Sequence, residues 1–365
     1  MKRELWRHFD FWLFGSVVFL NVFGVIMLRS AIAGNAVLAG HVQRQIIYDV
    51  IGLGVIIALA MIDYHYWASL SQIMYIFTFL FLAVVFVLGA VAFGSVRWIE
   101  TGLFNIQPSE LAKIVIILVL ANYFHTHQGR LHDWRWVAES LLLTLGLVAW
   151  IILQPNLSMS IVIFVLWFSL IWLSGLPVKY LAWFALGGMV APVALFPFLE
   201  GYQKQRIITF LFPDPNASYG NTYNVEQALI SIGSGGWFGQ GYGHSSQVQL
   251  RFLKVRHTDF IFSAMSAEFG FVGAVLILAL IGFVIYRCFR AARLASDLYG
   301  SLIAYGVGVL LFFQTAVNVG VNLNLIPVTG LTLPFISYGG SSVISLALGL
   351  GLVESVIARH KKLEF

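Results

Sequence analysis

Charge is scarce in this sequence: 10% of its 365 residues are Asp, Glu, Lys or Arg, against about 25% in an ordinary soluble domain. With 59% of residues apolar, so little polar surface cannot cover a water-soluble globule, and a cytoplasmic enzyme is excluded. The same figures exclude a disordered chain. Cysteine is nearly absent. Cys288 stands alone, so no disulfide can form within the chain. Its neighbours Arg287 and Arg290 suggest a cytoplasmic helix end, and the plain reading is an inert thiol. Alternation of apolar and polar residues is missing too, which speaks against a β-barrel. There is no HExxH, Walker A or GxSxG pattern and no Cys/His cluster, so ATP hydrolysis and zinc chemistry have no support. The net charge of +5 fits membrane topology and anionic lipid, and no nucleic acid is needed to explain it.

What the chain has is apolar length. A bilayer core of about 30 Å takes roughly 20 apolar residues per helix. Ten stretches qualify, near 11–29, 46–62, 71–93, 109–124, 137–153, 157–174, 179–199, 260–286, 301–323 and 340–358. They predict an all-α, polytopic membrane protein with ten transmembrane helices, forming a single integral domain over residues 1–365. No small-residue cleavage site follows the first run, which is read as a retained helix. Lys2, Arg3 and Arg7 precede the first span. Arg130 and Arg135 follow the fourth, Lys179 the sixth, Arg287, Arg290 and Arg293 the eighth, and Arg359, Lys361 and Lys362 the tenth. An even number of spans puts all of them on one side, with both termini cytoplasmic.

A large outer loop, about residues 200–259, joins helices 7 and 8 and breaks the charge pattern with Lys204, Arg206, Arg251, Lys254 and Arg256. Contact with anionic headgroups is the plainer explanation. The sharper one is a site for an anionic substrate such as a lipid diphosphate. Within the loop, Val225, Ala228, Leu229 and Ile232 recur at helical spacing and predict a short helix on the membrane surface. Gly233-Ser-Gly-Gly-Trp-Phe-Gly-Gln-Gly-Tyr-Gly243 has no GxGxxG spacing. Its glycines suit a tight turn more than a phosphate cradle.

Ionisable groups at membrane depth are costly and therefore candidates for function. Gln107-Pro-Ser-Glu-Leu-Ala-Lys113 opens the fourth span, where Pro108 suits a first helical turn and Glu110 the positive helix end. Glu110 and Lys113 share a face at i,i+3, either as a structural ion pair or as the polar lining of a cavity open to the outside. Arg97 and Trp98 lie just upstream. Arg256-His-Thr-Asp-Phe-Ile-Phe262 opens the eighth span. Asp259 there stands between a basic loop and an apolar helix, so burial raises its pKa while the cations lower it. Such a carboxylate can take a hydroxyl proton, and Thr258 or Asp259 can equally cap the helix. Glu268 follows about 180° around and roughly 13 Å deeper on a continuous helix, so it reads as structural or gating. Gln154, Asn156 and Ser158 sit between spans five and six. Gln314, Asn318 and Asn322 share one helix face and bridge helices or line a cavity.

Together with Ala267-Glu-Phe-Gly270, Pro327-Val-Thr-Gly330 and Ser337-Tyr-Gly-Gly-Ser-Ser342, these segments resemble the signatures of the SEDS family (shape, elongation, division and sporulation proteins), in family order. The arginine before His257-Thr-Asp259 and the compact length look more like the elongation branch, RodA, than the division branch, FtsW. The resemblance implies a peptidoglycan glycosyltransferase of the plasma membrane. It would polymerise lipid II, a disaccharide-peptide on undecaprenyl diphosphate, by linking donor MurNAc C1 to acceptor GlcNAc O4, with inversion. It further implies Asp259 as catalytic carboxylate, Glu110 and Lys113 in a central cavity, and a divalent cation, Mg2+ or Mn2+, for which Glu110 and Asp259 are the candidate ligands. A class B penicillin-binding protein and elongation-complex membrane proteins are the implied partners. Candidate substrate contacts are Lys113, Glu110, Arg97, Arg206, Arg256, His257, Gln154 and Asn156; cations among them would meet the charge on a leaving diphosphate. One departure stands out: Gln154-Pro-Asn-Leu-Ser158 carries Asn156 where the family usually has aspartate, so a metal or proton role there is in question. A lipid II flippase, a scaffold for a partner, and a division or sporulation paralogue are the alternatives.

Overall fold

The computed structural model describes residues 8–92, 99–100, 105–128, 134–178, 180, 184, 186–188, 196–213, 220–250 and 252–360. Helices start where local chemistry favours them. Asp10 caps α1 (Phe11–Ala31) by accepting the Leu13 amide. Then come α2 (His41–Met61) and α3 (His65–Ala92). A two-residue antiparallel ladder, β1 (Ile99–Glu100) with β2 (Asn105–Ile106), precedes α4 (Pro108–Thr126), which has proline in its first turn. Next are α5 (Trp134–Leu153) and α6 (Leu157–Leu173), the latter capped by Asn156. The long loop carries α7 (Gly201–Leu211) and α8 (Asn221–Gly235). The chain ends with α9 (Ile261–Leu294), α10 (Leu298–Asn322) and α11 (Gly340–Ala358).

Among the described residues, eight of these helices are long and apolar enough to cross a membrane: α1 to α5 and α9 to α11. The expected sixth span is present as α6, whose 17 residues reach about 25 Å. The expected seventh, 179–199, lies mostly outside the described residues. α2 begins five residues before the expected span at 46; Gln45, in the added turn, is buried and donates to Asp49 one turn on at 3.1 Å. α4, α10 and α11 are the most enclosed helices, whereas α3 exposes Phe77, Leu80 and Val84. Such an apolar bundle with outward aliphatic faces is a polytopic membrane protein.

The α8 helix matches the predicted loop helix, with Val225 and Ala228 buried and Leu229 exposed. It leads the glycine-rich run onto α9, which is broken at Gly270 (φ 68°, ψ −170°). The freed carbonyls of Ala267 and Glu268 accept the amides of Gln240 and Gly241, both at 3.0 Å. The amides of Phe271 and Val272 donate to Gly236 and Trp237 carbonyls at 2.8 and 3.0 Å. The loop thus replaces the missing helical bonds, as a membrane interior requires. A Cβ on Gly239 would come within 2.1 Å of the Glu268 carbonyl oxygen, so these glycines serve close backbone approach. The break falls after Glu268, so Asp259 and Glu268 stay on different turns and do not form a dyad. Glu268 is buried and accepts the Ser30 hydroxyl.

At the end where α1 starts and α11 finishes, Glu354 accepts the Asp10 amide at 3.0 Å, and Arg287 donates to Asp10 Oδ2 from Nε at 2.6 Å. Cys288 beside it is fully buried. Arg359 donates to the carbonyls of Ala60 and Met61, tying α11 to the end of α2.

Candidate active site

The opposite end of the bundle gathers the starts of α4, α9 and α11. The Gln107 amide donates to Ser341 Oγ at 3.0 Å, and Ser345 Oγ donates to the Glu110 carbonyl at 2.7 Å. Four residues before Ser341, Ser337 Oγ donates to the Thr258 carbonyl at 2.7 Å, and the Tyr338 amide donates to the His257 carbonyl at 2.9 Å. One short stretch, 337–345, therefore stitches the 107–113 and 256–262 constellations together. Thr332 and Ser342 hydroxyls meet at 3.1 Å. Close helix packing, the plainer expectation for this run, holds at Gly340, where a Cβ would stand 2.6 Å from the Tyr48 ring.

Asp259 sits half-buried on the turn before α9. Burial raises its carboxyl above the ordinary carboxylate range, opposed by the Arg206 guanidinium and a hydrogen bond from Thr258. Arg206 reaches in from α7 and donates to the Val328 carbonyl at 3.3 Å. Gly330 faces the carboxylate; a Cβ there would be 3.9 Å from Asp259 Oδ2. The Ser158 hydroxyl donates to the Thr329 carbonyl at 2.7 Å, which brings the start of α6 to the same wall. The imidazole of His257 is pushed down to about 4 by burial, with His41 and Arg256 adding to the shift, so it is neutral at pH 7. Its ring faces His41 at 6.1 Å and Tyr338 at 6.3 Å between centroids.

Glu110 and Lys113 form an ion pair at 2.6 Å with both side chains sealed from solvent. The remaining candidates are placed as follows. Arg256 is buried; its Nε donates to the Ala31 carbonyl and its Nη1 to the Leu253 carbonyl at 3.2 Å. Gln154 is buried and donates to the Leu82 carbonyl at 2.9 Å, between α5 and α3. Asn156 Oδ1 accepts the Met159 amide at 3.4 Å as the α6 cap. Arg97, like Arg251, lies outside the described residues. Lys204 donates to the Pro197 carbonyl at 2.8 Å, and Lys254 lies 5.7 Å from the Tyr223 ring centroid. Among the described residues no three His, Cys, Asp or Glu side chains converge as a metal cluster. Glu110 is paired with Lys113, and the Arg206 guanidinium acts on Asp259.

Residues 11–362 match the profile of the cell cycle protein family of FtsW, RodA and SpoVE. The chain belongs to this family, the SEDS family. FtsW of Aliivibrio salmonicida, named a probable peptidoglycan glycosyltransferase, is 33% identical over 356 residues, covering 94% of this chain and 88% of the relative. MrdB of Escherichia coli K12, named a peptidoglycan glycosyltransferase, is 32% identical over 378 residues, covering 99% of this chain and 97% of the relative. The crystal structure of the Thermus thermophilus rod shape determining protein RodA aligns with a TM-score of 0.72 at 32% identity, over 97% of this chain and 98% of that one. A chain from a study of how a peptidoglycan synthase complex coordinates polymerisation and crosslinking aligns with a TM-score of 0.80 at 33% identity, over 96% and 97%.

The motif Pro327-Val-Thr-Gly330 marked the family without marking Thr329 and Gly330 as walls of the site, and no motif marked Ser345 as a tie to Glu110. The small-residue composition of 327–345 was the available signal. What each small residue touches was not contained in it.

Proposed function

We propose that this SEDS protein polymerises lipid II into glycan strands, with Asp259 as general base. It is a peptidoglycan glycosyltransferase. The acceptor GlcNAc O4 gives its proton to the Asp259 carboxylate and bonds to donor MurNAc C1. The bond from C1 to the diphosphate oxygen breaks on the opposite face, so the configuration inverts and undecaprenyl diphosphate leaves. A carboxyl raised above its ordinary range is a better proton acceptor near neutral pH. Arg206 supplies positive charge beside Asp259 for the departing diphosphate. The observation that carries the reading is this half-buried carboxylate facing a cation at the end of an apolar bundle, where apolar helix faces can receive a polyprenyl chain.

The site end faces the outside of the plasma membrane in this reading, as the Lys and Arg distribution requires. The divalent cation remains in it only as a companion of the diphosphate, since Mg2+ sites commonly combine one or two carboxylates with substrate phosphates. The partner is a class B penicillin-binding protein; the peptidoglycan synthase complex that aligns with this chain supports that reading. The elongation role rests on Arg256 before the His-Thr-Asp run.

Polymerisation of lipid II by the partnered protein and its Asp259→Ala variant, with and without chelator, is the test. The variant should bind lipid II and make no glycan. A variant that polymerises at the wild-type rate overturns the assignment, and lipid II translocation without polymer from the wild type favours a flippase.

A further inference from the structure

In an unbroken helix the Asp259 carbonyl and the Ser263 amide would bond to each other. Here a side chain from another helix stands between them. Asn322, in the last turn of α10, donates from Nδ2 to the Asp259 carbonyl at 2.9 Å. Its Oδ1 accepts the Ser263 amide at 3.1 Å and the Ser263 hydroxyl at 2.5 Å. The amide orientation is dictated, since a backbone N–H only donates and a carbonyl only accepts. One turn earlier, Asn318 Nδ2 donates to the same Asp259 carbonyl at 3.1 Å and to the Leu331 carbonyl at 2.8 Å. Both asparagines are buried.

A side chain inserted into the helical hydrogen-bond ladder ends or bends the helix at that point. The consequence is local. α9 starts at Ile261, and Asp259 stays on the turn outside it. Asn318 holds that turn and the Leu331 end of the 327–331 segment at once, so the carboxylate and the Gly330 wall opposite it have a common anchor. An amide fits this place because it offers a donor to the Asp259 carbonyl and an acceptor to the Ser263 amide from one rigid plane.

We infer that Asn322, seconded by Asn318, is a positioning residue for glycosyl transfer: it takes the place of a helical hydrogen bond and keeps the backbone of Asp259 from winding into α9. This rests on Asp259 being the base. The simpler role, a polar bridge between α9 and α10, would touch stability alone.

The test compares full-length protein, with its transpeptidase partner, as wild type, Asn322→Ala, Asn322→Asp, Asp259→Ala and Thr315→Ala. Thr315, on the same helix, donates to the Leu311 carbonyl at 2.7 Å and serves as the purely structural control. Asn322→Ala should keep KM for lipid II within about threefold and lose roughly 100-fold in kcat, the scale of a misplacement of about 1 Å. Its acid limb in the pH–rate profile should also move, while Thr315→Ala changes neither. If Asn322→Ala fails to fold, Asn322→Asp is read in the same way, since it keeps an acceptor for Ser263 and lacks the donor to Asp259. Wild-type kcat in a folded Asn322 variant, a loss no larger than that of Thr315→Ala, or failure of both variants to fold overturns the inference. An active Asp259→Ala protein overturns the base itself. An inactive Asp259→Ala beside a fully active Asn322→Ala removes the positioning role alone.

Discussion

Lys113 and Glu110 are sealed together 2.6 Å apart inside the bundle. Truncating one partner strands a buried charge, which costs roughly 3–5 kcal/mol. Lys113→Met and Glu110→Gln should therefore each lower the melting temperature in detergent, and the double variant should regain most of the loss. That stable double variant is expected to make no glycan. Wild-type polymerisation by it would confine the pair to a structural role.

The pH dependence of the reaction should carry the signature of Asp259. A base must be ionised, so activity is lost as pH falls through its pKa, and burial places that pKa above the ordinary 3.8. Arg206 lowers it. Arg206→Gln should accordingly move the acid limb of the kcat/KM profile further up. An unmoved limb would separate Arg206 from Asp259.

His257 should make the fold acid-sensitive. Its folded pKa of about 4 lies below the ordinary 6.5. Below 6.5 the unfolded chain takes up a proton that the folded chain refuses, so stability falls between about 6.5 and 4 and is unaffected above that window. His257→Gln should flatten this slope in melting temperatures taken from pH 7 to pH 4.5. A slope equal to that of the wild type would refute the assignment.

Gly270 and Gly239 should tolerate no side chain. A Cβ on Gly270 would lie 2.3 Å from the Gly239 nitrogen, and positive φ alone costs other residues on the order of 1–3 kcal/mol. Gly270→Ala should therefore be far more damaging than Gly241→Ala, whose nearest neighbour is 3.4 Å away in the His244 ring. Thermal unfolding of both variants decides it, and equal melting temperatures would contradict the docking described for this loop.

Asn156→Asp supplies the carboxylate that the family resemblance leads one to expect in the Gln154–Ser158 run. Aspartate caps a helix as well as asparagine does, so stability should change by less than about 0.5 kcal/mol, whereas Asn156→Ala should cost about 1 kcal/mol. Glycan synthesis by the Asp variant at or above the wild-type rate is expected. Loss of activity would show that the uncharged amide is required here.

The membrane bundle was legible because apolar runs such as 301–323 and 340–358 announce themselves at any register. Asp259 and the Glu110–Lys113 pair were legible for the opposite reason, as charges where charge is costly. Arg256 shows the limit of that logic. Composition marked it as a cation for a diphosphate, while its guanidinium turns inward to the Ala31 carbonyl. The stitching by Ser337, Ser341 and Ser345 and the break at Gly270 depend on partners far away in the chain. Serines and glycines carry no periodic mark of such partners. Asn318 and Asn322 were recognised as sharing a face, but the carbonyl they hold is a backbone atom and leaves no trace in residue type.

The spliced turn in α9 makes the outer segment mechanically part of a membrane helix. Gly236, Trp237, Gln240 and Gly241 supply the main-chain groups that complete the interrupted helix, so peeling the loop away would break four backbone hydrogen bonds together. The loop and the first part of α9, which follows the Asp259 turn, are thereby tied to each other through the main chain.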